Sequence, residues 1–82
     1  MWFFAVDFIA TLNGTNSKSG TVGVRYRTND YLPNQVKDIV RSHYKKSDSS
    51  VRTVAVVVSG YESLDRQEYE SRRQTFLEII EK

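Results

Sequence analysis

The distribution of apolar residues predicts an α+β domain of element order ββαβα, with a three-stranded mixed sheet and two helices packed on one of its faces. Three observations carry this expectation. Residues 2–12 and 21–28 alternate with the two-residue period of strands, the residues after Pro33 recur at helical spacing, and Asp65 and Glu68 stand three apart like the two members of a helix-capping box. A chain of 82 residues, 39% of them hydrophobic, has material for one core, so residues 1–82 are read as a single domain.

In residues 2–12 the even positions Trp2, Phe4, Val6, Phe8, Ala10 and Leu12 form an unbroken apolar row, which predicts a strand with that face in the core. The odd positions Phe3, Ala5, Asp7, Ile9 and Thr11 are mixed, so the second face is only partly polar. Residues 13–20 are rich in turn formers and lack an apolar anchor, which suggests a long hairpin loop. Asn13, Gly14 and Thr15 spell a glycosylation sequon; with no export signal in view, the triplet reads as a turn. The second strand follows, with Val22, Val24 and Tyr26 on one face and Thr21, Gly23, Arg25 and Arg27 on the other.

Pro33 opens the first helix, where its missing amide costs nothing, and Asn29 or Asp30 can cap the turn before it. Leu32, Val36, Ile39, Val40, His43 and Tyr44 form its apolar stripe, and the polar run 45–50 ends it. Val54, Ala55, Val56, Val57 and Val58, within 52–59, are mostly β-branched and apolar on both faces, so they predict a third strand. The last helix begins near Arg66, with Leu64 and Tyr69 at the positions of a hydrophobic staple. Tyr69, Arg73, Phe76, Leu77 and Ile80 share its inner face.

A right-handed crossover through the first helix makes the third strand parallel to the second. The first strand, being the most apolar, belongs between them in the spatial order 2-1-3. Both helices then cover one face. The opposite face stays open and carries Phe3, Asp7, Ile9, Arg25 and Arg27 beside residues of the valine strand.

The chemistry available is narrow. There is no cysteine, which removes disulfides, thiol catalysis and thiolate metal sites and suits a reducing compartment. No stretch approaches the length of a membrane span, and the apolar start lacks a basic leader and is interrupted by Asp7, so a cytoplasmic location without membrane contact is expected. His43 is the single histidine. Asp30, Asp38, Asp48 and Glu62 lack the spacing of a calcium loop, so neither a metal nor a cofactor is expected. Ser59 and Gly60 lie between a strand and a helix, but no glycine-rich run or following lysine makes them a phosphate loop, and they read as a turn. An enzyme is not expected.

Two binding readings follow. In the first, surplus apolar residues on the open face, together with the unpaired edge of the third strand, bind a protein target or a second copy of the chain, through Phe3, Ile9, Arg25, Arg27 and Val57. Small size, no catalytic constellation and a large free surface resemble, in type, the inhibitors and accessory proteins of phages and mobile elements. In the second, Lys18, Arg25, Arg27, Arg41, Lys45 and Lys46 contact nucleic acid, with Phe3 and Tyr61 available for stacking. The charge split favours the first part of the chain for such contacts: residues 1–54 hold eight Lys and Arg against four Asp, while residues 55–82 hold four against six acids. Against it, Asp7 is expected opposite Arg25 or Arg27, in an ion pair across the strands.

Overall fold

The computed structural model describes residues 1–27 and 33–81. Thr28 at the end of the second strand, the capping role of Asn29 or Asp30, and Leu32 of the helical stripe lie outside the described residues. Strands β1 (Trp2–Leu12), β2 (Asn16–Tyr26), β3 (Val54–Leu64) and β4 (Ile79–Glu81) form one sheet in the order β3-β1-β2-β4, packed with helices α1 (Pro33–Ser47) and α2 (Arg66–Arg72). β1 is antiparallel to β2 and to β3, and β4 is parallel to β2. The expected order of the first three strands is present; the sheet has a fourth strand beyond it.

Residues 13–15, rather than a long loop over 13–20, join β1 to β2. Thr15 N–H donates to Leu12 O at 3.2 Å, and Asn13 and Gly14 take φ of 51° and 75°. Asparagine and glycine tolerate such consecutive left-handed positions best, and a turn of this hand matches the twist of the flanking strands. Ser17, Lys18 and Ser19 therefore pair in β2, because β1 runs on to Leu12 and its backbone outweighs their weak strand preference. The Asn13 side chain also ties the turn to the segment preceding β3. Its Oδ1 accepts from the N–H groups of Arg52 and Thr53 at 2.8 and 3.2 Å, and its Nδ2 donates to Ser50 O at 3.0 Å.

β3 continues through Ser59 and Gly60, where a turn is expected from the sequence. Phe8 faces Val58 and Asp7 faces Gly60, which leaves Ser59 as the extra residue of a β-bulge. Before the bulge, Val54, Val56 and Val58 share the face of Leu12, Ala10 and Phe8. After it, Gly60, Glu62 and Leu64 share the face of Asp7, Ala5 and Phe3. One inserted residue thus moves Leu64 to the face opposite Val54 and Val56.

Each face consequently has its own core. On one, Phe4, Val6, Phe8, Ala10 and Leu12 join Val22, Val24, Val54, Val56 and Ile80 under Val36 and Val40 of α1. Tyr26 Oη donates to Gln35 Oε1 at 3.1 Å near the start of α1, and Arg41 Nε donates to Val54 O at 3.2 Å further along. His43 Nδ1 lies 2.9 Å from Glu78 Oε1, linking α1 to the segment before β4. On the other face, Phe3, Ala5, Leu64, Tyr69 and Phe76 form a smaller core, with ring centroids of Phe3 and Tyr69 4.9 Å apart and of Tyr69 and Phe76 5.8 Å apart. The helices therefore lie on opposite faces, not together on one. Asp65 alone separates β3 from α2, so the helix must start on the face to which the bulge has turned Leu64.

The start of α2 is as the sequence predicts. Asp65 Oδ1 accepts from Glu68 N–H at 2.7 Å, Glu68 Oε1 accepts from Asp65 N–H at 3.2 Å, and Leu64 and Tyr69 are both buried. Its end is not. α2 stops at Arg72, a 3-10 turn (Arg73–Thr75) follows, and Ile79–Glu81 pair with Gly23–Arg25 instead of extending the helix. A longer helix would leave the outer backbone of β2 unpaired, whereas pairing satisfies it, suits two β-branched isoleucines and buries Ile80 in the main core. Leu77 N–H donates to Thr21 O at 2.8 Å and Gly23 N–H to Glu78 O at 3.0 Å. A β carbon on Gly23 would fall 2.3 Å from the Phe76 ring, so only glycine lets that ring sit against the strand. The Tyr69 hydroxyl is buried with no hydrogen-bond partner among the described residues; its burial, then the nearby Glu81 carboxylate, raise its pKa above the ordinary tyrosine value.

Three stability measurements test this packing. In urea unfolding, Asn13→Ala should lose about 2 kcal/mol, from three polar contacts and a left-handed φ that alanine adopts poorly. Gly23→Ala should lose about 1–3 kcal/mol, because Phe76 must leave the strand. Tyr69→Phe should gain about 1 kcal/mol, since it removes an unsatisfied buried hydroxyl. The raised pKa of Tyr69 also fixes a pH sign: its contribution is present below the unfolded value of about 10 and is lost as pH rises through the folded value. Tyr69→Phe should therefore flatten the alkaline fall in stability.

Candidate functional site

The face that carries α2 is only half covered. Phe3, Ala5, Gly23 and Leu64 lie beneath Tyr69 and Phe76, but the other half of the sheet, toward the hairpin turn, has no layer above it among the described residues. Strand register assembles this open half. Ile9 stands between Ser19 and Val57, Thr11 between Ser17 and Ala55, and Asp7 between Thr21 and Gly60. Ile9 and Val57 are 44% and 61% exposed, which is large for apolar side chains in paired strands.

The surface has two characters. Along β1 and β3 run Ile9, Thr11, Ala55 and Val57, an apolar strip. Along β2 run Ser17, Ser19 and Thr21, a column of hydroxyls, with Thr21 Oγ1 donating to Asp7 Oδ1 at 2.8 Å and Thr11 Oγ1 lying 3.5 Å from Ser17 Oγ. Asp7 is the one charge in the set. Hydroxyls, one carboxylate and apolar side chains thus share this face, and they offer hydrogen bonds and apolar contact. The outer side of β3 adds a second feature, since among the described residues no strand pairs with it there.

Of the residues expected to bind a protein, the structure brings Ile9 and Val57 side by side and separates the others from them. Phe3 is 7% exposed beneath Tyr69, so it is a core residue of the α2 layer and not part of an open face. The sequence could not show this, because the covering helix reaches that face only through the bulge. Arg25 faces Phe3 and reaches Glu81 of β4 at 3.9 Å; with exposed Arg27, Met1 and Glu81 it lines a shallow cleft of about 230 Å³. Arg25 lies four residues along β2 from Thr21 and six from Ser19, roughly 13 and 20 Å at about 3.3 Å per residue. Asp7 does not meet either arginine, since register places Thr21 opposite it.

The cations of the nucleic-acid reading are also dispersed. Lys18 lies on the α1 face of β2 opposite Ala10, and Lys45 and Lys46 close the last turn of α1. Arg41 is held by Val54 O and, at 3.1 Å, by Asp38. Arg25 and Arg27 stand at the far end of the sheet. Neither aromatic expected to stack lies on the open half: Phe3 is covered, and Tyr61 faces Val6 on the α1 side, edge-on to Phe4 with centroids 6.0 Å apart. The hydroxyl column was missed in reading 13–20 as a loop, although Ser17 and Ser19 continue the alternation of Thr21, Gly23 and Arg25 backward.

Among the described residues no group of three or more His, Cys, Asp or Glu side chains converges as metal ligands, and no helix is long and apolar enough to cross a membrane. Fold and surface together define a small α+β domain with a half-covered sheet and one long free edge. Comparison with known proteins returns no match at the level of family models, curated proteins or solved structures.

Proposed function

We propose that this chain is a non-enzymatic protein-binding module, an inhibitor or adaptor of the phage or mobile-element accessory type, that acts through the open half of the sheet or the edge strand β3. The exposed Ile9–Val57 pair carries the reading. Two apolar side chains held in adjacent strands lose little conformational freedom on contact, and the neighbouring hydroxyls supply hydrogen bonds that orient a partner. A strand laid along β3, from a target or from a second copy of the chain, would satisfy the outer backbone groups there. Nucleic acid is the weaker alternative, because its cations fall at two ends of the sheet and no aromatic of the described residues lies on the open half.

Affinity capture from the native host with wild-type, Ile9→Lys and Arg25→Glu/Arg27→Glu baits tests the proposal. Ile9→Lys should retain the wild-type melting behaviour to within about 0.5 kcal/mol, as an exposed position permits, and should lose the captured protein. Capture should survive the double arginine change. Loss in the arginine variant alone would move the site to the far end of the sheet and overturn the assignment. Recovery of RNA or DNA that washes off with moderate salt would overturn the protein-binding class itself.

A further inference from the structure

The open half-face is small. At a strand spacing of about 4.8 Å and a two-residue repeat of about 6.8 Å, its positions on β1, β2 and β3 occupy roughly 250 Å². Stable protein interfaces bury about 800 Å² on each partner, so one copy offers well under half of what is typical. The adjoining edge has a related peculiarity. From Val54 to Val58, ahead of the bulge, β3 carries no charge and no proline, the two devices that most often keep edge strands from pairing. Arg41 of α1 donates to Val54 O at the start of this stretch.

From this edge we propose that two copies of the chain join through β3, antiparallel about a two-fold axis near Val56 and Val57, into one continuous eight-stranded sheet. The proposal rests on the open half-face being the binding surface. Charge favours the antiparallel sense. Arg52 precedes the neutral stretch and Glu62, itself 3.3 Å from Arg72, follows it. An antiparallel copy brings Arg52 of each chain toward Glu62 of the other, whereas a parallel copy would set like charges together.

The symmetry has a functional consequence. A two-fold axis perpendicular to the sheet keeps both open halves on the same side and makes them adjoin at the axis, because the hairpin-proximal half of β3 is the part that pairs. The two Ile9–Val57 strips then merge into one apolar band flanked on each side by a column of Ser17, Ser19 and Thr21. The joined surface doubles to roughly 500 Å² by the same strand spacing. The dimer thus presents an open surface twice that of one copy. Val57 stands at the joint, and Ile9 stands one strand in from it.

Analytical ultracentrifugation of the full chain from low micromolar to hundreds of micromolar tests the proposal. Wild type should sediment as a dimer. Val57→Lys, which sets two ammonium groups near the axis, should weaken dimerisation about tenfold or more, while Ile9→Lys should leave it unchanged. A monomer at every concentration overturns the proposal, and so does a dimer that Ile9→Lys dissolves and Val57→Lys does not, the signature of face-to-face stacking. Hydrogen exchange on wild type gives an independent reading that no variant can confound: the amides of Val56 and Val58, which point away from β1, should gain protection as concentration rises, and unchanged exchange in a sedimenting dimer rejects the β3 joint. A monomer that still captures its target through Ile9 would sink the dimer alone. A dimer with no Ile9-dependent target would sink the binding reading instead.

Discussion

Ser59 has no partner residue on β1, and that unmatched position governs what each face of the sheet carries. Without the extra residue, Leu64 would fall on the same face as Val54 and Val56, and the apolar row of β3 would stay on the α1 side along its whole length. With it, the strand serves two cores in succession. Its first half packs under α1, and its end turns to Phe3 and Ala5 on the opposite face, where Tyr69 and Phe76 close over them. The short step through Asp65 then leaves α2 no choice of side.

The open half-face follows from the limited material left after that step. α2 has seven residues, and the chain beyond its 3-10 turn is drawn away to pair with β2. A helix of two turns covers only the part of the sheet nearest its own start. Its stability must come from the box at Asp65 and Glu68 and from the burial of Tyr69, since isolated helices of this length do not persist in water. Ile9 and Val57 therefore remain exposed because no element of the described chain reaches them. A surface left in this way is free for a partner, and the hydroxyl column beside it keeps it compatible with water.

Charge is distributed in the opposite manner. Around α2 and β4, Arg72 meets Glu62 at 3.3 Å and Arg73 meets Glu81 at 3.4 Å, with Arg25 also directed at Glu81. These are exposed pairs, worth little individually and screened by salt, so they bias the packing of the small layer without holding it. They also occupy cations that the sequence leaves seemingly free. The open half, by contrast, carries only Asp7, already bonded to Thr21. What that half offers is shape, apolar surface and an adjoining strand edge rather than charge.

Local chemistry was legible in the residues themselves. The even row of β1 from Phe4 to Leu12, the apolar stripe of α1 about Val36 and Val40, and the capping box of α2 each depend on neighbours within a few positions and lie where the periodicity placed them, whereas Trp2, expected in the same row, is exposed at the end of the strand. The order of the first three strands was legible too, because the most apolar strand must be central and a helical crossover restricts direction. The pairing of β4 was not. Whether Ile79 and Ile80 end a helix or join a strand depends on the free edge of β2 and on Gly23 making room for Phe76, residues more than fifty positions earlier in the chain. The side on which α2 lies was equally hidden, since a bulge is a mismatch between two strands and has no signature in either alone. The sequence by itself determined which residues are apolar, that β1, the later part of β2 and the valine run extend while α1 and the start of α2 coil, and that the valine strand would lie at an edge. Only the tertiary structure decided that Phe3 is covered while Ile9 and Val57 are not, because exposure is set by which distant segment finds room above each residue.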